Sequence, residues 1–83
     1  MQKRLARYEG WLRQQEEAGR SFTPEQRWWL DRIAEQVGVN LSVSLEDFDY
    51  GQFHDRGGRV GAIRALGREL PTLLDELNRA LVA

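Results

Sequence analysis

The sequence predicts an all-α fold: a compact bundle of about four helices with one long, ordered, aromatic-rich loop. Three observations carry that expectation. Apolar residues recur at helical spacing in four stretches, and Thr23-Pro24-Glu25-Gln26 reads as a helix start. Only Val39 to Leu45 alternates like a strand, weakly, and no second strand is there to pair with it.

Met1, Leu5, Tyr8 and Leu12 form one stripe of a first helix running to about Ala18, within a lead-in over 1–20. Gly10 weakens it by up to ~1 kcal/mol relative to Ala, and Gly19 stands where a helix C′ residue belongs. The uncapped start at Met1 is the expected mark of a helix that continues upstream in a longer parent, although a short free-standing gene would look the same.

The second helix, within 22–38, begins at Pro24. Thr23 can cap it, Gln26 can close a capping box, and Phe22 occupies the staple position with Arg27 and Trp28 near its reach. Leu30, Ile33 and Val37 form its buried stripe, and Gly38 is expected to end it. Trp28 and Trp29 point about 100° apart. Trp29 falls at the edge of the stripe and belongs to the core. Trp28 lies nearly opposite, so it is either roofed by the following loop or kept for a partner.

The connector spans 39–58. Ser44 with Asp47 can cap one helical turn through Leu45 to Phe48. Phe48, Tyr50 and Phe53 then follow in a loop closed by Gly57-Gly58, and three aromatics in six residues imply packing against the body of the domain. Val60, Ile63 and Leu66 mark a third helix over 59–67. Leu70, Leu73, Leu74, Leu77 and Leu81 make the strongest amphipathic stripe, a fourth helix over 69–82 with Pro71 tolerated only near its start.

The 83 residues make one small domain, marginal because such a chain buries only roughly 60% of its unfolded surface. Hydrophobic content of 41% and charged content of 30% fit a globular domain. There is no apolar run near the ~20 residues of a membrane span and no signal-peptide pattern at the start, so no membrane partner is expected and the expected compartment is the cytoplasm. There are no cysteines, hence no disulfides or thiolate metal sites within the chain. The net charge of −1 argues against autonomous nucleic-acid binding. The basic residues are eleven arginines and Lys3 alone, a bias that suits interfaces and equally fits a GC-rich gene.

Tests for chemistry fail one after another. Gly57-Gly58-Arg59-Val60-Gly61 lacks the lysine and hydroxyl of a phosphate-gripping loop, and no strand precedes it. Asp47, Asp49 and Gly51 resemble a calcium loop only faintly, because Gly58 stands where the bidentate glutamate should be. His54 has no nucleophile or second ligand beside it, and paired carboxylates such as Glu16-Glu17 or Asp75-Glu76 read as solvated helix faces. No nuclease centre can be assembled around Lys3. The expectation is a non-catalytic chain with no cofactor and no metal.

Two features are left for binding: Trp28, and the arginines Arg56, Arg59, Arg64 and Arg68 flanking the third helix. The plain structural alternatives are a loop folded over Trp28 and arginines paired to acidic neighbours. Interfaces are enriched in both residue types.

Phe22-Thr23-Pro24-Glu25-Gln26, then Trp29-Leu30 and Ile33, Leu45 to Phe48, Phe53, Gly57-Gly58 and the closing run Gly67 to Leu81 form an ordered set. With Tyr8 and Trp11-Leu12 ahead of it, the set resembles the C-terminal domain of the R (restriction and motor) subunit of type I restriction-modification enzymes. It covers nearly the whole chain and departs from the pattern at Leu66, where an aromatic is expected, and at Gln52, where a proline is common. The resemblance implies that nuclease and translocase modules lie upstream. The domain itself would dock the subunit onto the methyltransferase and specificity core and touch upstream domains of its own subunit, with DNA contacted indirectly or weakly. On that reading Trp28, Tyr50, Phe53, Arg56, Arg59 and Arg64 are the partner-binding candidates. The alternatives are a DNA-binding helical module contacting translocated DNA, and a free-standing protein that mimics the docking domain.

Overall fold

The structure, a computed structural model, describes residues 2–39 and 48–82. Four α-helices, α1 (Gln2–Glu17), α2 (Pro24–Val39), α3 (Gly58–Leu66) and α4 (Leu70–Val82), surround one core, with no strand among the described residues. A 3-10 segment, Tyr50–Arg56, kinked at Phe53 (φ −114°, ψ 40°), leads into α3, and a 3-10 turn, Gly67–Glu69, separates α3 from α4. The expected strand-like alternation of Val39 to Leu45 and the Ser44–Asp47 cap lie largely or wholly outside the described residues.

α1 presents Tyr8, Trp11 and Leu12 to the core, one face at spacing three and four. Gly19 ends it at φ +85°, with its N–H on the Glu16 carbonyl at 3.0 Å and that of Arg20 on the Gln15 carbonyl at 2.9 Å. This is the Schellman pattern, and it satisfies two orphan carbonyls. Arg20 then donates to Glu76 at 3.0 Å and to Gln15 at 2.8 Å, which pins the α1–α2 turn to α4.

The α2 start forms the reciprocal capping box. Thr23 N–H donates to Gln26 Oε1 at 2.9 Å, and Gln26 N–H donates to Thr23 Oγ1 at 3.1 Å. Phe22 stacks across on Trp11 of α1, its ring centre 5.8 Å away, so it packs between helices as well as standing at the staple position. Trp29, Leu30 and Ile33 are wholly buried. Gly38 does not end the helix, which continues to Val39.

The aromatic segment is more regular than a loop. Asp49 caps its 3-10 helix by accepting from Gly51 N–H at 3.0 Å, and that accounts for the carboxylate without a metal. Gly57 then turns the chain at φ +90°, a left-handed value that glycine reaches without strain.

In α3, of the three residues whose spacing marks the helix, only Leu66 faces the core. Val60 and Ile63 are 59% and 46% exposed, whereas Gly58, Ala62 and Leu66 face the core. The reason is close approach. Gly61 abuts the Arg56 carbonyl, and a Cβ there would stand 3.5 Å from the Trp29 ring. Only the small-residue face of α3 fits against that indole, so its large apolar side chains are turned outward. α4 packs Leu70, Leu73, Leu77 and Leu81 inward, with Leu74 half-buried beside them. Pro71 is its second residue, where a missing N–H deletes no helical bond.

Candidate partner-binding site

The capping box fixes how α2 begins, and one turn later Trp28 emerges beside the aromatic 3-10 helix. The edge of Phe53 meets Trp28 at a centroid distance of 5.3 Å and an interplanar angle of 86°, while Trp29 meets it at 5.0 Å. Trp28 is therefore partly roofed and half-buried, packed on the core without belonging to it. Its ring also carries two cations. The Arg56 guanidinium lies 4.4 Å from the ring centre and that of Arg32 lies 5.4 Å away, both within cation–π range. Arg56 is further held by Glu25, at 3.0 Å.

The six candidates separate into three groups. Trp28, Phe53 and Arg56 form one cluster. Arg64 lines an open groove of about 460 Å³ beside it, together with Arg56, Glu25, Gly57, Val60, Gly61 and Ala65. Arg59 stands exposed on α3, and neither it nor Arg64 has an ion-pair partner among the described residues.

Tyr50 goes the other way. It is buried against Phe48, 5.0 Å between ring centres, and tilted against Trp29 at 6.2 Å. Burial pushes its hydroxyl above the usual tyrosine value, with Arg59 opposing the shift. Its part in any surface is to support it from beneath.

Sequence reasoning missed Glu25, Arg32, Val60 and Ile63. The first two lie on α2, at −3 and +4 from Trp28, and helical spacing alone places them beside it. The last two were legible as outward-facing from Gly58, Gly61, Ala62 and Ala65, whose spacing marks a small-residue face. Among the described residues no three His, Asp or Glu side chains gather as a metal site needs, and no helix is long and apolar enough to cross a membrane.

Fold and surface together define a small all-helical domain with a half-exposed cation–aromatic cluster. The chain belongs to the family described as EcoEI R protein C-terminal, the family of the C-terminal domain of type I restriction enzyme R subunits, whose profile matches residues 5–82. It is also 33% identical over 57 residues to the type I restriction enzyme EcoKI endonuclease subunit of Escherichia coli (strain K12). That match covers 69% of this chain and 5% of the relative, so the chain spans only a small part of the length of the curated relative it matches. No solved structure matches the chain.

Proposed function

We propose that residues 1–83 form a single non-catalytic assembly domain, which docks the nuclease and translocase subunit onto the methyltransferase and specificity core of a type I restriction complex in the cytoplasm. The observation that carries this reading is the Trp28–Phe53–Arg56 cluster, a half-exposed indole with two cations on its ring. Tryptophan and arginine are the side chains whose truncation most often weakens an interface. Trp28, Phe53, Arg56, Arg59 and Arg64 contact the partner, and Tyr50 supports them from the core. Upstream domains of the same subunit are the second contact.

The test is assembly of the R subunit with its methyltransferase core, with and without these residues, followed by Trp28→Ala in the intact subunit. Loss of assembly on deletion and weakening by Trp28→Ala support docking. Unchanged assembly on deletion refutes it.

The exposure of Arg59 and Arg64 favours a second reading, in which the domain touches translocated DNA. Its binding to a short duplex should then fall steeply with salt. No binding at low salt removes it.

A further inference from the structure

The outward face of α3 combines two kinds of residue in one turn. At about 100° per residue, Arg59, Ile63, Val60 and Arg64 fall in that order around the helix, across roughly 140°. The apolar pair lies in the middle and an arginine stands on each side. All four are exposed, and Val60 and Ile63 are the large hydrophobics that the described core leaves outside. An apolar centre with a charged rim is the anatomy of a protein interface.

The neighbouring groove extends this face. Gly57, Val60, Gly61 and Ala65 line it, so it carries the apolar part of the face on toward Arg56. Its one carboxylate, Glu25, is already held by Arg56 at 3.0 Å. The surface therefore offers apolar contact at its centre and, at its edges, positive charge with no ion-pair partner among the described residues.

We propose that this face receives an acidic amphipathic helix of the docking partner, its apolar side chains on Val60 and Ile63 and its carboxylates on Arg59 and Arg64. The proposal rests on the docking reading and names the chemistry of the partner. A second copy of this chain fits poorly, because Arg59 and Arg64 would meet their own equivalents or one another. Duplex DNA matches the rim but gives the apolar centre nothing to bury, since its outer surface is phosphate.

Two measurements test this. In the first, the 83-residue chain is titrated with a Glu/Leu amphipathic helical peptide of roughly 20 residues, long enough to hold a helix. A peptide of the same composition, with the leucines scattered around the helix, serves as control. The amphipathic peptide should bind more tightly than the control and shift the amides of Val60 and Ile63. Val60→Ser with Ile63→Ser should weaken it roughly tenfold or more, as should Arg59→Glu with Arg64→Glu. Both pairs are exposed, and an unchanged helical spectrum verifies the fold. Equal binding of the control, or no effect of the serine pair, overturns the proposal. Tighter binding of a short duplex at the same residues overturns it in favour of DNA.

The second measurement is assembly of the complex by the intact subunit. If deletion of the domain abolishes assembly while the serine pair assembles normally, the α3 face is wrong and docking stands. If deletion itself has no effect, docking fails and takes this proposal with it.

Discussion

The Arg56 guanidinium lies 4.4 Å from the centre of the Trp28 ring while its Nη1 reaches Glu25 Oε2 at 3.0 Å. One side chain thus joins the first turn of α2 to the turn that starts α3. The Arg56 and Glu25 side chains are 42% and 50% exposed, so solvent screens the ion pair to a few tenths of a kcal/mol.

The cation–π contact adds about 0.5–1 kcal/mol at such a site. Arg56→Ala should therefore destabilise by about 1 kcal/mol in chemical denaturation and alter the near-ultraviolet circular dichroism of the tryptophans. Arg56→Lys should recover only part of both, because an ammonium keeps the charge but not the planar stack. If Arg56→Ala has no effect on stability or spectrum, the stack does not persist in solution.

Glycine replacement should have opposite signs at two positions. Gly10 lies inside α1 at an ordinary φ with nothing near a new Cβ, so Gly10→Ala should stabilise by about 0.5–1 kcal/mol. At Gly61 the new Cβ would collide with the Arg56 carbonyl and also reach the Trp29 ring. Backbone has to move, so Gly61→Ala should destabilise by roughly 2–4 kcal/mol. Thermal unfolding of the two variants checks both signs, and a neutral Gly61→Ala would show that α3 can lift away from Trp29 cheaply.

Those glycines also explain what the sequence conveyed and what it did not. The capping box at Thr23 and Gln26, the Gly19 terminus and the leucine face of α4 are local signals, set by residues within one or two turns. Trp29 could be assigned to the core because Leu30 and Ile33 fix the buried side of α2. In α3 Val60, Ile63 and Leu66 marked the helix by their spacing, but only Leu66 of the three is buried. Here proximity decided instead: at Gly61 α3 lies so close to Trp29 that a Cβ would already touch the ring, and the residues that share its inward side are the small Gly58, Ala62 and Ala65. The density of aromatics at 48–53 pointed to packing on the body, but that Tyr50 in particular is buried was beyond local reasoning, since it depends on Trp29 meeting it across the fold. The candidate site was half legible for the same reason. Trp28 stood out by its position on the helix, but its partner Glu25–Arg56 joins residues 31 apart in the chain.

Gln26 separates local from tertiary stabilisation. Near a helix N-terminus a carboxylate gains about 0.3–1 kcal/mol from the macrodipole, and glutamate can close a capping box as well as glutamine. Local reasoning therefore makes Gln26→Glu neutral or stabilising. In the fold, however, Gln26 Nε2 donates to the Ala65 carbonyl at 3.0 Å, tying α2 to the end of α3. Glutamate would lose that donor and set a carboxylate oxygen against a carbonyl oxygen in a half-buried place. Gln26→Glu should destabilise by about 1 kcal/mol in urea, comparable with the loss of the Thr23 cap in Thr23→Ala. A stabilised Gln26→Glu would mean that the Ala65 bond contributes nothing.

Alkaline pH should loosen the α1–α2 contact through Tyr8. Its ring is buried and its hydroxyl donates to Asp31 Oδ1 at 2.6 Å, an oxygen that also accepts from Arg27 Nε at 3.0 Å. Burial first, then the bond and charge of Asp31, hold the phenol well above its ordinary value of 10.0, while Arg27 pulls weakly the other way. The folded state therefore keeps this proton after the unfolded chain has released it. The stabilisation is complete below about pH 10 and declines as pH rises from there toward the folded value, by at most 1.36 kcal/mol per pH unit for one proton. Tyr50, raised by burial, adds a smaller decline of the same sign. Urea midpoints should stay level between about pH 7 and 9.5 as far as these two groups are concerned, and fall above pH 10. Tyr8→Phe should be less stable near neutrality by about 1 kcal/mol, for the lost hydrogen bond, and show a shallower alkaline fall. An alkaline slope that Tyr8→Phe leaves unchanged would show that this proton is no more tightly held in the fold than in the unfolded chain.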